Sequence, residues 1–136
     1  HEVPVQGTGR NHDNGIRESL VFPEVLDVNS KDSPVARLLH REFSASELRG
    51  DAEFAAWGGY VVTSVHRHSP RSTGESETLD NEFRIFDAVT SKVVYTDTIA
   101  HETRGPVPDA FFLWNNAAYF IKDQKTLTAI KLSGKV

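Results

Sequence analysis

Cysteine is absent from the 136 residues, which removes disulfide frameworks, Cys-ligated zinc, iron–sulfur clusters and thiol catalysis together and leaves the redox compartment open. Methionine is absent too. The chain opens at His1 with neither an initiator Met nor the apolar core of a signal peptide, so its N-terminus is expected to be a processed end or the edge of an excerpt. No apolar run approaches the roughly 18 residues that a spanning helix needs, and no membrane partner is expected. Positive charge is scarce: 15 Lys and Arg stand against 19 Asp and Glu, a formal net charge of -4. A concentrated basic face, the electrostatic footprint of a nucleic-acid binder, is missing.

What is present fits one folded domain. Hydrophobic residues make up 38% and charged residues 25%, a balance that can bury a core. His1 to about Arg17 holds Gly7, Gly9, Gly15 and a polar run from Arg10 to Asn14, and reads as loop. Leu20-Val21-Phe22 and Val25-Leu26-Asp27-Val28 are expected as short strands around Pro23, at a sheet edge where proline is tolerated. Ser33-Pro34 starts a helix, with a hydroxyl cap and a proline at the first helical position. Val35, Leu38, Leu39 and Phe43 fall on its one apolar face.

From Asp51 the period changes to that of strands. Phe54-Ala55-Ala56-Trp57 leads through Gly58-Gly59 into Tyr60-Val61-Val62, and Phe111-Phe112-Leu113-Trp114 leads through Asn115-Asn116 into Ala117-Ala118-Tyr119. Both are hairpin signals, because paired Gly or Asn residues supply the positive φ of a tight turn. Downstream, Asn81 to Asp87 followed by Lys92-Val93 parallels Thr126 to Leu132 followed by Lys135-Val136. The separations are 57 residues between Trp57 and Trp114 but 43 between Lys92 and Lys135. A loop inserted in the first copy, between about Arg67 and Asp80, accounts for the difference. A period near 43 with four short strands suits a propeller blade. The expected architecture is mainly β: antiparallel, four-stranded propeller-like blades, one complete (51–99) and one incomplete (107–136), after an irregular N-terminal segment (1–50) with one short helix.

Phe83-Arg84-Ile85-Phe86-Asp87, Thr90, Lys92-Val93 and Ala100-His101 resemble a degenerate WD40-type repeat, with Phe86-Asp87 in place of Trp-Asp, Ser91 in place of the turn glycine and Ala100 in place of the glycine before His101. Ile85-Phe86-Asp87-Ala88 with Lys92-Val93 resembles the quinoprotein-like propeller repeat equally well. The WD40 resemblance implies a rigid, non-catalytic scaffold that presents loops to partner proteins, and a packing role for His101 within its blade. Two blades cannot close a ring, so the chain is an excerpt of a longer propeller, or another chain completes the sheet, or the hairpins belong to a different β architecture such as a small sandwich or barrel. The expectation adopted is that a protein partner, or another copy of the chain, completes the sheet. The interaction loop is expected around Arg67, Arg71, Glu75, Glu77 and Asp80, a mixed-sign polar stretch.

Other chemistry has candidates. His66 and His68 share one strand face at a spacing that metal sites on sheets use, with His40, His101 or Glu53 as a third ligand. His1, as a free N-terminal histidine, suits copper chelation. Either would make a metal-dependent enzyme. Asp80 with Glu82, or Asp97 with Glu102, are carboxylate pairs if the fold brings them together. Gly7-Thr8-Gly9-Arg10 lacks the remainder of a phosphate loop, and no cofactor is expected. The aromatics of the two hairpins read as core packing between blades; an exposed row of them would instead mark a carbohydrate-binding module.

Overall fold

The computed structural model describes residues 20–70 and 77–133. Two short strands come first, β1 (Leu20–Val21) and β2 (Glu24–Leu26), then one helix, α1 (Pro34–Glu42). Seven strands follow: β3 (Leu48–Trp57), β4 (Tyr60–His68), β5 (Leu79–Asp87), β6 (Val93–Thr103), β7 (Phe112–Trp114), β8 (Ala117–Lys122) and β9 (Thr126–Lys131). They form two antiparallel sheets, a five-stranded one in the order β2-β3-β4-β5-β6 and a four-stranded one in the order β1-β7-β8-β9. The chain is thus mainly β, with the helix where Ser33-Pro34 places it. The Ser33 hydroxyl accepts the Ala36 N–H at 3.1 Å, satisfying a donor that the first helical turn leaves over.

Both hairpins turn as their sequences require. Gly58 and Gly59 have φ of 58° and 88°, and Asn115 and Asn116 have 48° and 66°. The β5–β6 turn rests on Asp87, whose carboxylate accepts the Val89 and Thr90 N–H groups at 2.8 and 2.9 Å. Ser91, standing where the repeat pattern has glycine, takes a left-handed φ of 64°.

The layers follow from strand alternation. One face of the large sheet buries Ala55, Val62, Phe83 and Ile85 against Phe111, Leu113, Ala118 and Phe120 of the small-sheet segment. Phe83 is the hub, with ring centroids 4.6 Å from Phe120, 5.7 Å from Phe111 and 6.1 Å from Tyr95. The opposite face packs Ala52, Val65 and Phe86 under Leu39 and Phe43 at the helix. Of the expected helix stripe, Leu39 and Phe43 are buried, while Val35 and Leu38 are half-buried at its margin.

Aligning the hairpins on Trp57 and Trp114 shows how the sheets stack. Ala55, Trp57, Tyr60 and Val62 of the large sheet face the small one. Their repeat counterparts, Phe112, Trp114, Ala117 and Tyr119, lie on the outer face of the small sheet, because Leu113, Ala118 and Phe120 take its inner face. Corresponding faces therefore point the same way, and the sheets stack head to tail. Of the aromatics expected as core, Phe111, Tyr119 and Phe120 are buried, whereas Phe54, Trp57, Tyr60, Phe112 and Trp114 are half-buried. Phe112 and Trp114 are open because they occupy an outer face, where Phe112 stacks on Tyr119 at 5.2 Å and 9°.

The segment carrying β1 and β2 serves both sheets. Leu20 and Val21 pair with Trp114 and Leu113, while Glu24 to Leu26 pair with Phe54 to Ala52. Phe22-Pro23 lies between them, where the chain passes from one sheet edge to the other.

Candidate functional site

The richest polar cluster lies at the end of the large sheet where β4 leads out and β5 returns. The expected interaction loop is shorter than the stretch from Arg67 to Asp80. β4 continues through Arg67 and His68, and β5 begins at Leu79, with Arg67 opposite Asp80 and His68 opposite Leu79. Cross-strand pairing extends the hairpin into residues whose polarity alone reads as loop. Arg71 and Glu75 lie outside the described residues.

Arg67 is held on both sides. Its Nε donates to Glu82 at 2.9 Å and its Nη1 to Glu47 at 3.3 Å. Glu82, buried, also receives Arg84 Nη1 at 3.2 Å and the Thr98 hydroxyl at 3.0 Å. Arg84 reaches Glu42 of the helix at 3.4 Å and lies 4.9 Å over the Phe43 ring. Three strands and the helix are locked through one buried carboxylate, so Arg67 belongs to an internal brace. Glu77 differs. It is exposed, and its Oε2 accepts from Arg49 Nε at 3.0 Å and pairs with His68 Nδ1 at 2.7 Å. These two partners hold its carboxyl below the ordinary range.

Asp80 is buried rather than part of a solvated loop. Its Oδ1 accepts the Ser69 hydroxyl at 2.6 Å and the Glu102 N–H at 2.9 Å. Burial works to raise its pKa, but these hydrogen bonds and the nearby charges of His101 and Arg67 prevail, and the net shift is downward. Ser69, Asp80, His101 and Glu102 border a cleft of about 510 Å³. Its order of contacts is wrong for nucleophilic catalysis. Ser69 bonds the Asp80 carboxylate directly, while His101 Nδ1 turns to Asp123 at 3.4 Å, so the serine–histidine–carboxylate order of a triad is not formed. His101 is exposed and tied to the small sheet's turn, in place of the packing within its own blade that the resemblance implies.

His66 and His68 share a face, as their spacing requires, yet do not converge on a common point. His66 Nε2 accepts the Val107 N–H at 2.8 Å, which fixes the neutral ring, and burial lowers its pKa. His68 serves Glu77. Glu53 spends both carboxylate oxygens on the Asp109 and Ala110 N–H groups, at 2.8 and 2.9 Å. His40 Nε2 lies 2.6 Å from the Val28 carbonyl, at the helix. Among the described residues no group of three or more His, Asp or Glu is placed to hold a metal ion. His1 and the Gly7 to Arg10 segment lie outside the described residues. The carboxylates of the candidate pairs are engaged by other groups: Asp80 by the Ser69 hydroxyl and the Glu102 N–H, Glu82 by Arg67 and Arg84, and Asp97 by Lys122 at 2.7 Å and the Thr98 N–H at 2.8 Å.

Glu53 and His66 are the residues whose roles sequence reasoning missed. Both hold the backbone that leads from the large sheet to the small one, a role that no local spacing signals.

Comparison of the chain with protein-family models, with curated proteins and with solved structures gives no match. Among the described residues no helix is long and apolar enough to cross a membrane.

Proposed function

We propose that the chain is a non-catalytic protein-interaction scaffold built from propeller-like blades, in which a partner polypeptide completes the β-structure. The observation that carries this reading is the head-to-tail stacking of two sheets whose hairpins correspond position for position around Trp57 and Trp114. An interface repeated in one direction leaves one face and one edge of the last unit available. The polar ends of the sheets then serve as the presented surface, with Arg49, His68 and Glu77 its hydrogen-bonded polar trio. The internal use of His66, Glu53, Glu82 and Asp80 supports the same reading, because each spends its chemistry on holding backbone or neighbouring strands.

Native mass spectrometry of the metal-dialysed chain, paired with capture of partners by wild type and by the E77R variant, tests it. The expected result is metal-free protein that captures a defined partner, with capture weakened in E77R. A monomer carrying a stoichiometric metal ion, and no partner sensitive to Glu77, overturns it.

A further inference from the structure

The two sheets correspond strand for strand except at one position. β2, β3, β4 and β5 of the large sheet match β1, β7, β8 and β9 of the small one, and β6 has no counterpart among the described residues. β5 is therefore covered on its outer side, whereas β9, its equivalent, is the last strand of its sheet among the described residues.

The hydrogen-bonding phase of β9 can be fixed. The Leu132 N–H donates to the Asn116 carbonyl at 2.7 Å, and the β8–β9 register runs without a break from Ala117 opposite Lys131 to Lys122 opposite Thr126. Alternation along an antiparallel pair then makes Ile130 and Thr128 hydrogen-bonded to β8, and turns the N–H and C=O groups of Leu127, Ala129 and Lys131 outward. Three donor–acceptor pairs form a straight template. No charge interrupts the run from Thr126 to Ile130, and no proline or bulge guards it, the usual means by which edges are blunted.

Two features describe what fits there. Apolar surface flanks the edge on both sides. Leu127 is 65% exposed on the outer face beside Ile121 at 56%, and on the inner side a cleft of about 270 Å³ is lined by Tyr60, Ile85, Tyr95 and Ile130, among others. Charge bounds it lengthwise: Lys125 and Lys131, both exposed, stand at the two ends of β9, and neither takes part in an ion pair among the described residues.

We propose that the outer edge of β9 accepts an extended strand from a partner protein, antiparallel to β9, with aliphatic side chains at alternate positions and an acidic residue at each end. It would stand on β9 as β6 stands on β5, which continues an interface the molecule already contains. Affinity comes from the main-chain hydrogen bonds and specificity from the apolar flanks and the lysine pair. The proposal rests on the scaffold reading and gives it a site and a partner chemistry.

The test uses the full chain and a synthetic peptide of seven residues in which valine and threonine alternate, with a glutamate added at each end. A second peptide replaces those glutamates with lysine. At saturation the acidic peptide is expected to slow hydrogen exchange at the Leu127, Ala129 and Lys131 amides by about 10-fold or more, and to bind at least about 5-fold tighter than the lysine version at low salt. A129P removes one outward N–H without taking a bond from β8, and is expected to abolish this protection while the Thr128 and Ile130 amides stay protected. If A129P loosens the β8–β9 hairpin itself, L127K provides the alternative variant, with binding of the acidic peptide expected to weaken through loss of the apolar flank. No protection of the outward amides, or binding indifferent to both variants, overturns the proposal. Protection that grows with protein concentration in the absence of peptide shows a second copy on the edge and overturns the choice of partner. Sensitivity of partner capture to Glu77 is a separate readout, so failure here and failure of the scaffold reading are distinguishable.

Discussion

The two sheets begin from matching hairpins and end very differently guarded. The large sheet closes with β6, an eleven-residue strand whose pairing with β5 shifts register at three places and whose Glu102 takes a left-handed φ of 51°. Such irregularities spoil a strand as a template for further pairing. Its charges are tied as well, since Asp97 holds Lys122 of the small sheet. Among the described residues the small sheet ends on β9, regular along all six residues and free of internal charge until Lys131. The contrast teaches that an edge is closed by irregularity, and that the regular edge is the one fitted for recognition.

The strongest way to break the comparison is to remove what the two sheets share. Phe83 is fully buried and meets Tyr95, Phe111 and Phe120. F83A is expected to cost about 3–5 kcal/mol, read by urea denaturation, with both sheets lost in one transition. A cost below about 1 kcal/mol, or two separate transitions, would show that the sheets do not share a core.

E53A acts on the junction alone. It strips the Asp109 and Ala110 N–H groups of their acceptors, for an expected loss of about 1–3 kcal/mol, with amide exchange quickened in β7 to β9 and little changed in β4 and β5. Uniform quickening would mean that Glu53 supports the whole fold rather than the link.

His66 provides a smaller, pH-dependent handle on the same junction. Its folded pKa lies below the ordinary histidine value of about 6.5 because burial disfavours the charged ring. Between the two values the unfolded chain binds the extra proton, so this contribution is fully present above about pH 6.5 and falls as pH drops through the folded value. Urea midpoints measured from pH 7.5 to 5.5 are expected to decline in wild type and to decline less in H66Q. Parallel curves would assign the slope to other groups. The smallest expected effect is that of E77Q. An exposed pair contributes little, so its denaturation midpoint should match wild type even though partner capture weakens; a large drop in midpoint would make Glu77 a structural residue.

The local parts of this fold were legible in the sequence for local reasons. Gly58-Gly59 and Asn115-Asn116 require particular backbone angles, Ser33-Pro34 caps a helix, and Asp87 with Ser91 forms its turn from neighbours alone. What was hidden depends on distance along the chain. Polarity at Arg67 and Asp80 reads as loop because a buried ion network costs the same residue types as a solvated surface, and only the paired strands tell them apart. Likewise His66 looks like half of a metal pair until the backbone of Val107 arrives at its ring. The proposed site at β9 was legible in part: the strand Thr126 to Leu132 was expected from its parallel with Asn81 to Asp87, but the direction in which its amides point needs the register with β8.

The strap formed by β1 and β2 has a consequence for the order of events during folding. Its first residues find their partners only at Leu113 and Trp114, close to the other end of the described chain, whereas the β3–β4 and β4–β5 hairpins close through near neighbours. Contacts so distant in sequence are slow to form. During synthesis the large sheet can assemble while Leu20 and Val21 still wait, which gives the molecule an interval in which the inner edge of the small sheet stands open to misjoining. The seven residues from Leu20 to Leu26 thus tie an edge of each sheet to the other, and by contact order their pairing on the small sheet is expected among the last to form.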